Sequence, residues 1–240
     1  MKLTVLMYHK IDELENGVRH PGNYVSPDQF AQQMDALLAW RYRTISFAQW
    51  LDYRDGRGVG RLPDRPLIVT FDDGYTCFDE HAWPVLRARG MNATVFLVAG
   101  QIGGTNAWES DELSLPLLGA ARIVALQDEG VVFGSHSVTH RPLARIPERE
   151  ASEELHASRK QLGSLLGREV DVFAYPFSNQ NRTVRALARD AGYRCAVRGK
   201  GRMNSTHVDP FGLRRIKIEP TTTIESLERT LARETRRWFF

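Results

Sequence analysis

The chain has 240 residues, 25% charged and 42% hydrophobic, a composition that excludes disorder and fibrous repeats and suffices for one substantial core. Lys and Arg number 32 against 29 Asp and Glu, and the arginines are spread along the chain, so the formal net charge of +3 implies no nucleic-acid partner. Cys77 and Cys195 lie far apart without a CxxC pairing, which excludes a thiolate zinc site and a dithiol redox motif and leaves two free thiols.

The first apolar run, LTVLMY, ends at Tyr8 and His9 with no small-residue cleavage site after it, so it reads as a β-strand and not as a secretory leader. No stretch reaches the length of a membrane span, and the sequence as written is expected to be cytoplasmic. A long loop over 12–23 follows. Ser26, Pro27 and Gln29 then form a capping-box signature for a helix whose Phe30, Met34, Leu37 and Leu38 share one face. RTISF, PLIVTF, NATVFLV and GVVFGS read as buried strands, with a second long loop over 101–114 between the last two. Helical periodicity returns from Glu148 to Gly167, with Ala151, Leu155, Leu162 and Leu166 as its inner stripe. VDVFAYP, YRCAVR and LRRIKIE are the closing strands, and Ile224, Leu227 and Leu231 mark a final helix. The terminal RRWFF is expected to fold back onto the body of the protein.

Such alternation predicts parallel strands joined by right-handed crossovers, either in a barrel or in an open sheet. No GxGxxG or Walker motif follows any strand, which favours the barrel. A single domain over 1–240 is expected, since no linker or repeat divides the chain.

Four polar clusters fall at the C-terminal ends of these strands: Tyr8 and His9, Asp72 and Asp73, His136 to His140, and Tyr175 to Phe177. Apolar strands have no folding reason to finish repeatedly in His and Asp at one end, and in barrels that end carries the active site. The four-residue spacing of His136 and His140 suits a divalent cation, although a chain with seven His offers such a pair by chance. The Asp72–Asp73 doublet supplies what the pair lacks: repulsion between adjacent carboxylates is relieved if one binds a cation while the other accepts a proton. Two imidazoles and one carboxylate leave coordination positions open, the pattern of a catalytic site. His20, His81, His156 and His207 have no motif around them and read as surface or packing residues.

TFDDGY at 70–75 and SHSVTH at 135–140 resemble the first two motifs of the NodB-type polysaccharide deacetylases, and FAYPFSNQN at 173–181 resembles their third. LMYHKI, SPDQFAQQMDALL and LRRIKI further resemble a permuted branch that includes poly-β-1,6-N-acetylglucosamine deacetylases. The resemblance implies a deformed (β/α)7-type barrel. It also implies one divalent metal ion, zinc before nickel, cobalt or iron, held by Asp73, His136 and His140, with Asp72 as base and His9 as acid. Metal-activated water would attack the amide carbonyl of an N-acetylhexosamine in a polysaccharide or oligosaccharide. A backbone N–H such as that of Tyr75 would meet the oxyanion. Tyr75, Trp108, Tyr175, Pro176 and Phe177 are the candidate substrate-binding residues.

Two departures stand out. The arginine that precedes the third motif's proline and orients the base is replaced by Phe173 and Ala174, and Arg215 is the candidate substitute. The familiar YPYG reads Tyr175-Pro176-Phe177-Ser178, without its second hydroxyl and its glycine. The competing functions are deacylation of a small, nucleotide- or lipid-linked sugar or of an acetyl ester, and an inactive glycan-binding protein. The sequence leaves oligomeric state open.

Overall fold

The structure is a computed structural model that describes residues 1–15, 17–58, 60–199 and 201–236; of the RRWFF segment, 237–240 lie outside the described residues. Six parallel strands, Lys2–Tyr8, Pro66–Phe71, Thr94–Leu97, Val132–Ser135, Val172–Ala174 and Cys195–Arg198, stand side by side in chain order. Residues 213–217 close the ring. Leu213–Arg214 pairs with Cys195–Arg198 and Ile216–Lys217 pairs with Lys2–Tyr8, so one short segment joins the last strand to the first with Arg215 at the junction. Seven staves thus make a nearly closed barrel, as the sequence predicts, with seven α-helices among the described residues: α1 (Pro27–Ala39), α2 (Phe47–Arg54), α3 (Trp83–Ala88), α4 (Ala120–Asp128), α5 (Glu148–Leu166), α6 (Arg182–Asp190) and α7 (Ile224–Arg236).

The strands are buried on both faces because each face has its own core. Leu6, Tyr8, Val69, Phe71, Val95, Leu97 and Phe173 point outward and pack with helix residues such as Phe30, Met34, Leu155 and Leu162. Leu3, Val5, Ile68, Phe96, Val172, Val197 and Leu213 fill the interior, together with Phe47, Trp50 and Leu51 of α2, which plugs one end. Side chains along a strand alternate between faces, so the interior rows can be followed upward. Leu3 and Val5 lead to Met7 and His9, Ile68 leads through Thr70 to Asp72, and Leu213 leads to Arg215 and Lys217. At the open end these rows turn polar and line a cleft of about 220 Å³.

Two local expectations are revised. RTISF contributes only Arg43–Thr44 to the sheet; Ser46 instead caps α2 in a full capping box with Gln49. Ser26 does accept the Gln29 N–H, but the Gln29 side chain donates to the Pro220 and Thr222 carbonyls, tying α1 to the turn before α7.

Gly134 lies where the interior is tightest. A Cβ there would sit 2.6 Å from the Phe96 ring and 2.9 Å from Val172. Gly134→Ala is expected to lower stability by about 1–3 kcal/mol through overpacking, measured by urea denaturation.

Candidate metal centre and active site

The DDG turn is built by an unusual backbone. The Gly74 N–H returns to the Asp72 carbonyl at 2.9 Å across Asp73, whose φ of +74° belongs to the rare positive-φ form of the γ-turn. The next residue also has positive φ, and a Cβ on it would meet Leu97 at 2.7 Å, so Gly is required there. This turn aims Asp72 and Asp73 at the same space from adjacent positions.

The HSVTH loop is equally constrained. Ser137 and His140 have φ of +67° and +59°, and the Ser137 hydroxyl accepts the His140 N–H at 2.9 Å. Glu154 of α5, 8% exposed, accepts the Val138 and Thr139 amides at 2.7 and 3.0 Å and the Thr139 hydroxyl as well. Sequence reasoning missed this clamp. Its signal was an acid on the inner stripe of α5, between Ala151 and Leu155.

Asp73, His136 and His140 converge, each offering one ligand atom within 4.8 Å of the others. Three observations fit them to a divalent cation. His136 Nδ1 lies 2.7 Å from the Ala174 carbonyl, which can only accept, so Nδ1 carries the hydrogen and Nε2 presents a lone pair to the centre. Burial lowers the His136 pKa to about 4 despite the opposing charge of Asp72, keeping the ring neutral. Asp73 Oδ1 is buried without a hydrogen bond, 3.6 Å from His136 Nε2 and 3.3 Å from His140 Nε2. An orphaned carboxylate oxygen beside two imidazole nitrogens is what a bound cation would satisfy.

Asp72 has a different partner. Arg215 donates to both of its oxygens, at 2.6 and 2.7 Å, and also to Thr70 Oγ1 at 3.1 Å, all buried. Burial would raise the Asp72 pKa, but Arg215, with His136 and His9, more than reverses this and holds the carboxyl below its usual range. His9 Nε2 is 3.9 Å from Asp72 Oδ2, and its Nδ1 is buried without a partner. Burial lowers the His9 pKa, while Asp72 and Asp73 pull it upward.

The substrate-binding candidates divide. Phe177, 62% exposed, and Tyr175 line the cleft, although the Tyr175 hydroxyl is spent on the Phe211 carbonyl. Pro176 is buried beneath them. Trp108 and Phe177 each lie 4.6 Å from the His140 ring, so both pack against that imidazole. Tyr75 is buried against Lys10 and donates to Glu109, which places it in the wall behind the cleft and not on an open face. The lost glycine of the third motif is compensated: Ser178 keeps φ +57°, and its hydroxyl accepts the Gly199 N–H at 2.7 Å.

The family model for polysaccharide deacetylases matches residues 60–196, more than half of the chain. The chain belongs to the polysaccharide deacetylase family. It is accordingly a carbohydrate deacetylase, a hydrolase of a family in which metal dependence is typical. The Bacillus subtilis protein YxkH is 24% identical over 221 residues, 91% of this chain and 72% of its own length. A poly-β-1,6-N-acetyl-D-glucosamine N-deacetylase of Staphylococcus aureus is 25% identical over 175 residues, 71% of this chain and 59% of that enzyme, so the match spans less than two thirds of the relative. IcaB from Ammonifex degensii superposes with a TM-score of 0.81 at 26% identity, covering 96% of this chain and 97% of its own. The matched region contains Asp72, Asp73 and the candidate ligands His136 and His140, whereas His9 and Arg215 lie outside it.

Breaking a buried ion pair by removing one partner strands the other charge. Arg215→Met is expected to cost about 3–5 kcal/mol of stability, and the double variant Arg215→Met/Asp72→Leu to recover most of it, measured by chemical denaturation.

Proposed function

We propose that this deacetylase hydrolyses N-acetyl groups of an N-acetylhexosamine-containing polysaccharide or oligosaccharide, working as one domain. The observation that carries the reading is a second, unligated carboxylate, Asp72, fixed beside the Asp73, His136 and His140 cluster and facing the cleft. A binding module has no use for such a base. Asp73, His136 and His140 would hold the cation, for which zinc suits the donor set, and that cation supplies an acidified water and a polarised acyl carbonyl.

Asp72 takes a proton from the attacking water. The Arg215 fork occupies one lone-pair direction on each oxygen and leaves others free, so orientation does not consume the base. The oxyanion faces the Tyr75 N–H: the flanking amides of Gly74 and Thr76 are spent on Asp72 and Pro116, and the pairing of Tyr75 with Leu117 leaves its own N–H outside that ladder. His9 protonates the leaving nitrogen as the C–N bond breaks, releasing acetate and an amine. Its burial makes the imidazolium a stronger acid, and Asp72 and Asp73 oppose that shift. Transfer from Asp72 to His9 across their 3.9 Å gap restores both groups.

Acetate release from β-1,6- and β-1,4-linked N-acetylglucosamine oligomers, compared with monomeric N-acetylated sugars, tests the assignment and separates polymer from precursor substrates. Asp72→Asn is expected to reduce turnover by at least about 10²-fold with bound metal unchanged. His140→Ala is expected to lose the metal itself, measured by elemental analysis. Full turnover by Asp72→Asn would refute the assignment.

A further inference from the structure

Several arginines of this protein have carboxylates of their own: Arg122 pairs with Asp79 and Glu129, Arg89 with Asp35, and Arg194 with Asp52 and Asp171. Around α6 the arginines instead gather with one another. Arg182, Arg185 and Arg189 recur at helical spacing on α6, whose opposite side buries Val184 and Ala188. Beside them, Arg198 and Arg214 occupy paired positions on adjacent parallel strands. Only Asp209 answers this group among the described residues, reaching Arg185 at 3.2 Å and Arg189 at 3.7 Å.

Two of the guanidiniums are held in fixed orientations. Gln180 Oε1 accepts from Arg185 Nε at 2.6 Å, and Arg189 lies 4.6 Å from the centre of the Phe211 ring, so both are oriented. A Cβ at Gly212 would come within 3.0 Å of the Arg185 guanidinium, so the bare backbone there makes room for it. Arg198 Nε is buried with no hydrogen-bond partner, and burial, then Arg214 and Arg185, lower the Arg198 pKa. Arg182 has no ionic partner among the described residues and borders an open depression that also contains Arg185, Arg189 and Asp209. Clustering of like charge destabilises a fold and is relieved by an anion, and the planar guanidinium fork matches phosphate and carboxylate.

Short stretches of chain link the depression to the cleft. Ser178 lines the cleft and Gln180, two residues on, lines the depression; Gly199 lines the cleft and directly follows Arg198. We propose that the arginine cluster around α6 is an anion subsite that holds a phosphate or carboxylate carried by the glycan in the cleft, so that the preferred substrate is an acidic N-acetylated glycan. This rests on the glycan-deacetylase reading above.

Two measurements on the metal-loaded protein test it. Calorimetric titration with inorganic phosphate is compared between the wild type and Arg182→Gln/Arg198→Gln, a pair that breaks no ion pair. Affinity and kcat/KM are then compared for neutral chitooligosaccharides and for oligosaccharides of equal length alternating N-acetylhexosamine with uronic acid. The double variant is expected to weaken phosphate binding and to lower the acidic-to-neutral ratio of affinity by about tenfold. Arg185→Gln, with its fold checked by circular dichroism, is expected to act in the same direction. Phosphate binding that ignores the substitutions overturns the proposal. So does phosphate binding that responds to them while acidic and neutral glycans bind alike, since the anion would then not be carried by the glycan. Failure of the parent reading looks different: no acetate is released from either series, while the affinity ratio can still be read by calorimetry.

Discussion

The buried pair between Asp72 and Arg215 is the interaction on which the centre depends. Two carboxylates adjacent in sequence and buried beside two imidazoles cannot all remain uncompensated. Arg215 settles the division of labour by grasping both oxygens of Asp72 and compensating its charge, whereas Asp73 keeps an orphaned oxygen. With His136 and His140 neutral, Asp72, Asp73 and Arg215 sum to one negative charge, which a divalent cation would turn to one positive charge at this cluster. That sign suits the oxyanion of amide hydrolysis.

Much of this was legible in the sequence because it follows from strand periodicity. Polar residues ending apolar strands located the open end of the barrel, and alternation put His9, Asp72, His136 and Arg215 on its inner face. Arg215 could be suggested only as a substitute for an arginine missing elsewhere, since its role depends on a ring closure joining residues 143 positions apart in the chain. Glu154 was less visible still. It sits among helix residues that read as core, and its partners are backbone amides, which carry no residue identity. Trp108 and Tyr75 show what pattern alone leaves out: Trp108 lies against the His140 ring, and Tyr75 is buried beside Lys10.

Backbone strain is concentrated around the centre. Asp73, Ser137, His140, Phe177 and Ser178 all have positive φ without being Gly, a conformation that costs on the order of 1 kcal/mol or more per residue. Each is held by a specific contact or by the sheet behind it: the γ-turn at Asp73, the Ser137 hydroxyl and Glu154 for the histidine loop, and the Ser178–Gly199 bond for the third motif. The Ser178–Gly199 bond holds a serine in a conformation that favours Gly. A Cβ at 199 would come within 2.7 Å of the Ser178 hydroxyl, so the freedom lost at one position is retained at the other.

The residue that readies the base belongs to the segment that closes the barrel. During synthesis, a chain emerging from the ribosome exposes Asp73, His136 and His140 well before Arg215, and until 213–217 docks between the first and sixth staves Asp72 has no guanidinium to hold it. The guanidinium that orients Asp72 therefore arrives only with completion of the ring.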